Sequence, residues 1–445
     1  MKTLARPAIV ATGALLLAGY VAAMVLMAKA DGRVVFGDAT HHFVQLRSLV
    51  YDRDLHFGNE YRRIYRIEAA VPGTEWVFTE LTPTGHVRNY MPVGPALLWA
   101  PLYLLVSALQ LAASWVGLAR PPDGFDRLLQ IVPGVTGIIA VTTAALITWR
   151  SVREETSESA ATIAVFAAWL GSHAIYYSLV SPSYSHAASM LTAAWFFASW
   201  LRTRHDMSVR RSAMWGALAG LCALMRWQDA IFLLVPFIEI LRWREPPAWR
   251  LAALIAAGAG FAVAFSPQMA VWTVLYGQPL AIPQGPAFMQ WTNPQLLPVL
   301  FSDNHGLFSW APIMVLALGG LIVALVQKPA WRLPVASVLL VSWYVNAAVA
   351  DWWAGEAYGA RRFLSLFPLF TLGLAMWLNR PARVPVWYAR VAALATLTVL
   401  NGLLLLQYQI YMKGLSALAP YPKGWFNLYV ERFIVPWRLV EWLLR

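Results

Sequence analysis

The sequence predicts an all-α polytopic membrane protein, and three observations carry the prediction. Of 445 residues, 59% are hydrophobic and only 13% are charged, where a soluble domain carries about 25% charged residues. Mean hydropathy is +0.55. Many apolar runs reach the roughly 20 residues that a helix needs to cross a bilayer core. The net charge of +12 comes largely from arginines in short loops between those runs. The positive-inside bias accounts for that placement, so the basic balance calls for no nucleic-acid partner. Cys222 is the single cysteine and lies in an apolar run, which excludes disulfides and a Cys-based metal site.

The first element is MKTLARPAIVATGALLLAGYVAAMVLMAKADG. It resembles a signal peptide, down to a cleavage-like Ala28-Lys29-Ala30 triplet. Its apolar run, about 7–28, exceeds the 7–15 residues of a signal core. It is expected to stay as the first span, with Lys2 and Arg6 marking a cytoplasmic start. A polar interval over 30–91 follows, punctuated by Pro, Gly and Asn. Apolar runs then come at about 92–118, 128–150, 160–180, 186–201, 212–226, 228–241, 250–275, 310–326, 333–350, 363–378 and 387–411. A single transmembrane domain over 1–411 is expected, then an external amphipathic tail over 412–445 ending VERFIVPWRLVEWLLR. No repeat of fixed period and no linker divides the chain.

Loop charge sets the orientation. Arg202, Arg204, Arg210 and Arg211 form one cluster, and Arg242, Arg244 and Arg250 a second. Lys328 with Arg332, and Arg380 with Arg383 and Arg390, make two more. All four belong on the cytoplasmic side. Counting back from them puts 119–127 outside, the side on which residue 60 also lies. The run 92–118 therefore makes no simple crossing. With Pro92, Pro95 and Pro101 weakening its helix, it is expected to be re-entrant or to lie in the membrane interface. One long external region over 30–127 results, with about 11 spans (range 10–13).

Residues able to carry chemistry gather on the external side. If 38–52 is helical, Asp38, Gln45 and Asp52 share one face, with His41 and His42 beside them. Phe43, Leu46, Leu49 and Val50 form an apolar stripe, so the helix should lie at the membrane surface with its polar face to water or a cavity. Asp38 is either an N-cap after Gly37 or a general base able to take a proton from an acceptor hydroxyl. Asp52-Arg53-Asp54 has a form that binds divalent cations through oxygen. With His56 it is a weak metal candidate beside the alternative of a solvated loop, while Glu60 reads as an ordinary loop acid.

In SPSYSHA, Tyr184 and His186 line a cavity or mark the interface. In MRWQDA, Arg226 is a cavity residue, a snorkelling anchor or the structural partner of Asp229. In SDNHGLFSWAP, Asp303, Asn304 and His305 bind a ligand or cap the next helix. DWWAGEAYGARRF places Arg361 and Arg362 outside, against the charge bias. Such a pair needs an anionic partner, either phosphate, which arginine holds through forked hydrogen bonds, or Glu356. Trp352, Trp353 and Tyr358 offer a stacking wall for a sugar ring. Together these suit an anionic lipid-linked substrate at the membrane surface. Nothing resembles a phosphate-binding glycine loop or a dinucleotide fingerprint.

On these residues the chain resembles the GT-C superfamily of integral membrane glycosyltransferases, which includes the protein O-mannosyltransferases and the aminoarabinose transferases. The resemblance rests on Gly37-Asp38 after the first span, the Pro-led MPVGPALLWAPLY, and the stretches GLFSWAP and WWAGEAYGARRF. It implies transfer of a sugar from a polyprenyl-phosphate donor to a lipid, glycan or protein acceptor on the outer side of a bacterial inner membrane. The transfer would invert the anomeric centre, with Asp38 as base. Arg361 or Arg362 would hold the donor phosphate, with His305, Tyr184, His186, Trp352, Glu356 and Arg226 around the donor. The mannosyltransferases have Asp-Glu where this chain has Asp38-Ala39, so the second acid is missing. The chain as given carries no large soluble C-terminal domain, unlike oligosaccharyltransferase catalytic subunits. No cofactor is required by this reading, although a divalent metal at Asp52 and Asp54 stays open. A transporter or flippase for an anionic lipid, and a surface-polysaccharide polymerase or ligase, are the competing readings. The transferase reading expects Asp38 and Arg361 on one cavity open to the outer leaflet.

Overall fold

The computed structural model describes residues 4–26, 33–65 and 79–444. Lys2 and the Ala28-Lys29-Ala30 triplet lie outside the described residues. Those described form helices and connecting turns without a named strand. Only two isolated bridges, Leu81 with Val87 and Met289 with Val349, have strand-like pairing.

A helix occupies every apolar run that the sequence marks. Among the described residues five are long and apolar enough to cross a membrane: Ala5–Val25, Gly94–Trp115, Arg127–Glu155, Pro247–Tyr276 and Val384–Met412. Two bent pairs bring the number to seven, Glu158–Leu170 with His173–Leu179 and Ile313–Gln327 with Pro329–Ala347. The remaining runs give shorter helices, Ser185–Thr203, Val209–Met225, Leu234–Arg242 and Phe367–Leu378. Backbone that leaves helical geometry at membrane depth must be enclosed by protein. The sequence obeys this, because the short inner helices are largely buried while several long ones expose most of their surface.

Local chemistry sets the helix ends. Ser157 and Ser208 cap their helices by accepting from the amides of Ala160 and Arg211, groups that would otherwise lack a partner. Proline begins Pro247–Tyr276 and follows the first residue of Phe367–Leu378 and Val384–Met412, where its missing N–H costs nothing. Small residues let the backbones touch. A Cβ on Gly216 would meet the Ala257 carbonyl at 1.9 Å, and one on Gly320 would meet the Gly373 carbonyl at the same distance. Close approach of this kind is how helices associate without hydrophobic gain from the solvent.

The four basic clusters share one end of the bundle. Arg202 pairs with Glu154 at 3.2 Å and Lys328 with Glu155 at 3.0 Å. Arg242 donates to the Ala330 carbonyl, and Asn379 accepts from the Ser157 amide. Asp38, Arg226, Arg361 and Arg362 gather at the other end of the same helices.

The segment 92–118 differs from the re-entrant expectation. It forms a single 22-residue helix, Gly94–Trp115, that continues through Pro101, so no re-entrant break occurs. By length and composition it qualifies as a span. Its contacts nevertheless run along the segment 38–52: Trp99 packs on His42, Tyr103 on Phe43, and Ser107 accepts from the Tyr51 hydroxyl. Tyr103 also donates to the Gly124 carbonyl, which holds 121–126 beside the same segment. Proline is tolerated because it sits inside an apolar helix whose neighbours absorb the local irregularity.

The helix Asp38–Arg47 is also unlike its expectation. Residues 39–46 are all buried, so it is not a surface helix; of the expected polar face, Gln45 meets protein while Asp38 opens on a cavity. Gln45 donates to the Met91 carbonyl, and His42 Nδ1 bonds the Pro92 carbonyl. The C-terminal tail contains the helices Trp425–Tyr429 and Glu431–Leu444. Val435 packs inward against Ile410 and Ala419, while Phe433, Trp437 and Trp442 face outward.

Candidate functional site

The Asp38 helix starts from a glycine. Gly37 has φ 53° and ψ −136°, a region that L side chains rarely adopt. A Cβ there would also stand 2.1 Å from the Tyr184 hydroxyl oxygen. Asp38 is the first helical residue, one past the N-cap Gly37. Its carboxylate reaches across 323 positions of sequence to Arg361, whose Nη1 donates to Oδ2 at 2.6 Å. The N-cap reading of Asp38 is therefore corrected. Arg361 stands over the Tyr184 ring, 5.7 Å from its centroid.

The next residue repeats the arrangement. Arg362 donates from Nη2 to the Asp351 carboxylate at 2.7 Å and from Nη1 to the Asp351 carbonyl at 2.6 Å. Glu356, the expected partner of these arginines, is exposed and pairs with neither. It stands five residues beyond Asp351, across the tight turn that Ala354 and Gly355 make with positive φ.

Both ion pairs line one cavity of about 230 Å³ together with Arg226, Ser185, Tyr90, Gln228 and Gln284. Arg226 donates to His186 Nδ1 at 2.8 Å and stands 3.4 Å from the Ser185 hydroxyl. It forms no ion pair with Asp229, which is buried and accepts from Ser189 at 2.6 Å. The expected Arg226–Asp229 pair is thus corrected, and so is the snorkelling anchor, since Arg226 turns into the cavity. Among the lining residues three arginines stand against two aspartates. Counted over the lining alone, one positive charge is left over; Arg226 is the arginine without an ion pair, with the buried Asp229 carboxylate close enough to act on its charge.

Burial pushes the Asp38 carboxyl up, but Arg361, His41, His42 and Arg226 outweigh it and hold Asp38 below its ordinary value. Burial works against the Arg361 charge, yet the Asp38 carboxylate prevails and keeps the guanidinium firmly cationic. His41 and His42 are lowered by burial to about 4 and stay neutral near pH 7. The pair is thus ionised on both sides, with a quarter of the Asp38 side chain still open.

Tyr184 and His186 do not line the cavity; Tyr184 packs under Arg361 and His186 accepts from Arg226, with Tyr177 4.5 Å from the His186 ring. His305 is placed elsewhere. Its Nδ1 bonds the Trp353 carbonyl and its Nε2 the Tyr421 hydroxyl, both at 2.7 Å. With Asp303 accepting from the Gly424 amide, it ties the 302–310 turn to the C-terminal tail and does not line the cavity. Trp352 is half-buried against the core and lies outside the cavity lining. Tyr358 is buried and donates to Asn401, so no stacking wall of Trp352, Trp353 and Tyr358 forms.

The acids of the first loop are also engaged. Asp52 is bound by Arg47 and Asn59, and Asp54 accepts from Ser48 and the His56 amide. His56 stacks on His86 at 4.5 Å. Among the described residues no group of three His, Cys, Asp or Glu is placed to hold a metal ion. Glu60 is fully buried, contrary to its reading as a loop acid. Arg47 holds one oxygen at 3.0 Å, and burial raises the carboxyl to about 7.

Sequence reasoning passed over Asp351, Tyr90, Gln228 and Gln284. Asp351 opens the DWWAGEAYGARRF stretch, and its signal was the need of two external arginines for two acids. Nothing in the sequence ties Tyr90 or Gln284 to this place.

No protein-family model matches the chain, and no curated protein matches it in sequence. Among solved structures it is similar to that of ArnT from Cupriavidus metallidurans bound to undecaprenyl phosphate. The two are 13% identical with a TM-score of 0.46, over 97% of this chain and 77% of the other.

Proposed function

We propose that this protein transfers a sugar from a polyprenyl-phosphate donor to an acceptor hydroxyl at the outer face of a bacterial inner membrane. The observation that supports it above the others is one cavity holding the Asp38–Arg361 pair, the Arg362–Asp351 pair and the unpaired Arg226. A phosphodiester carries a single negative charge. The cavity's surplus of one positive charge matches it, and a diphosphate-linked donor would find too little. That charge balance favours a monophosphate donor over the diphosphate that a polysaccharide polymerase or ligase would use.

In this reading Arg226 anchors the phosphate, with Arg361 and Arg362 sharing its oxygens. The acceptor hydroxyl attacks the anomeric carbon from the side opposite the phosphate. Its C–O bond forms as the bond from the anomeric carbon to the phosphate oxygen breaks. The hydroxyl proton passes to Asp38, and polyprenyl phosphate leaves with the bonding electrons. Paired with Arg361, Asp38 is a weak base. A phosphate that draws Arg361 away raises its basicity, so donor binding readies the base. General-base assistance of this kind contributes about 10²–10⁴-fold in rate.

The test is to incubate purified protein with a panel of polyprenyl-phosphate sugars and acceptors and to follow donor consumption. Donor loss in wild type that disappears in Asp38→Asn is the expected result. A transporter or flippase would move labelled lipid across a vesicle membrane without consuming the donor, and that outcome rules out the transferase.

A further inference from the structure

Two amide side chains in the cavity have no work inside the protein. Gln228 lies two residues after Arg226 in the 3-10 segment Trp227–Leu233, and Gln284 precedes Gly285 in the loop after Pro247–Tyr276. Both line the cavity. Among the described residues neither side chain has a hydrogen-bond partner, and Gln228 Nε2 and Gln284 Oε1 are covered. Gln110 and Gln409 also keep a covered amide atom without a partner, but they lie outside the cavity lining; several other enclosed glutamines are bonded. Gln45 donates to the Met91 carbonyl, Gln130 to Phe125, and Gln407 to Pro420 and Asn427. Gln268 accepts from the Val93 amide. A covered amide left unpaired is costly, and a native protein that keeps two in one cavity needs a reason.

The surroundings supply one. Trp227 and Phe288 line the cavity on the same side, with ring centroids 6.4 Å apart and planes inclined at 59°. Trp227, Gln228, Gln284 and Phe288 carry no ionisable group. An amide offers donors and an acceptor whichever way its ends are assigned, and a sugar hydroxyl both gives and takes hydrogen bonds. Flat aromatic surface suits the C–H face of a pyranose or furanose ring.

We propose that Gln228 and Gln284, against Trp227 and Phe288, form the subsite that selects an uncharged, hydroxyl-bearing sugar on the donor. This rests on the donor reading above and names the sugar class. An amino sugar would bring a cation into a cavity that already holds a positive surplus. A uronic acid would compete with the phosphate for the arginines.

The experiment measures kcat and KM of the full-length protein for polyprenyl phosphates bearing a neutral hexose, an amino sugar or a uronic acid. Binding of sugar-free polyprenyl phosphate is measured in parallel. Wild type is expected to prefer the neutral donor. Gln228→Ala and Gln284→Ala are each expected to lower kcat/KM for it by about tenfold, the scale of one lost hydrogen bond, while sugar-free polyprenyl phosphate binds as before. Gln228→Glu should shift preference towards the amino-sugar donor. The proposal is overturned if both alanine variants keep neutral-donor kcat/KM within about twofold, or if wild type prefers a charged sugar. If wild type binds no polyprenyl phosphate and consumes none of the donors, the donor reading itself falls, and the subsite with it.

Discussion

Arginines meet carboxylates at both ends of the helical bundle, but the two sets of pairs are differently built. At the basic end, Arg202 and Glu154 each leave about half of the side chain exposed, 49% and 50%. At the cavity end, Arg361 and Arg362 are only 15% and 11% exposed, while their partners Asp38 and Asp351 keep 25% and 41%. Exposed pairs are screened by water and contribute about 0–1 kcal/mol. In enclosed pairs each charge depends on the other, and removing one member strands the survivor. The same residue types thus form exposed pairs at one end and line a charged cavity at the other.

Substitutions at the two ends can break or sharpen that contrast. The largest effect is expected from Asp38→Asn, which removes the base while keeping size and shape. Turnover should fall by about 10²-fold or more in protein that still elutes as a folded species, and near-normal turnover would remove Asp38 from the chemistry. Next comes Arg226→Ala, expected to raise donor KM about tenfold or more through loss of a charged hydrogen bond. Arg361→Ala and Arg362→Ala should raise it as well. Unchanged donor KM in all three would mean that the phosphate does not bind in this cavity.

Gly37→Ala forces a side chain into a positive-φ position and onto Tyr184. It is expected to cost on the order of 1–3 kcal/mol of stability and to lower turnover by displacing Asp38. Thermal unfolding and kinetics on one preparation check both. Glu60 gives a smaller effect that depends on pH. Its carboxyl is raised to about 7 in the fold, so the folded state binds its proton more tightly than the unfolded chain does. Stability should therefore drop as pH rises from about 4.5 to about 7 and level off above. Glu60→Gln should flatten this slope in Tm measured between pH 5 and 8. The smallest effect belongs to Arg202→Ala, expected to shift stability by less than about 1 kcal/mol and to leave turnover unchanged. A large loss there would erase the contrast between the two ends.

The helices were legible because apolar runs have a length scale set by the bilayer and turns are marked by Pro, Gly and Arg. The position of Asp38 was legible for a similar reason, since an acid directly after Gly37 and a first span stands out against a hydrophobic background. Its partner was not. Arg361 and Glu356 lie within one stretch, and only three-dimensional packing decides that Asp38 and Asp351 reach the two arginines while Glu356 turns outward. The burial of Asp38–Arg47 escaped for a related reason. Its alternation of polar and apolar residues fits a surface helix, and the Tyr61, Met91 and Pro92 groups that satisfy it come from elsewhere in the chain. His305 shows the converse error. A histidine beside Asp303 and Asn304 suggests a ligand site, yet both ring nitrogens are taken by Trp353 and Tyr421.

The 323 positions between Asp38 and Arg361 also bear on how the protein is made. Ribosomes extend a chain at about 5–20 residues per second, so Asp38 emerges tens of seconds before its partner exists. During that interval the nascent chain has its acid but no cavity. Arg361 and Arg362 are adjacent, so one late stretch delivers the partners for Asp38 and for Asp351 almost together. The charged chamber cannot close before residue 362 has been made, and a chain truncated before residue 361 lacks both arginines that complete the site.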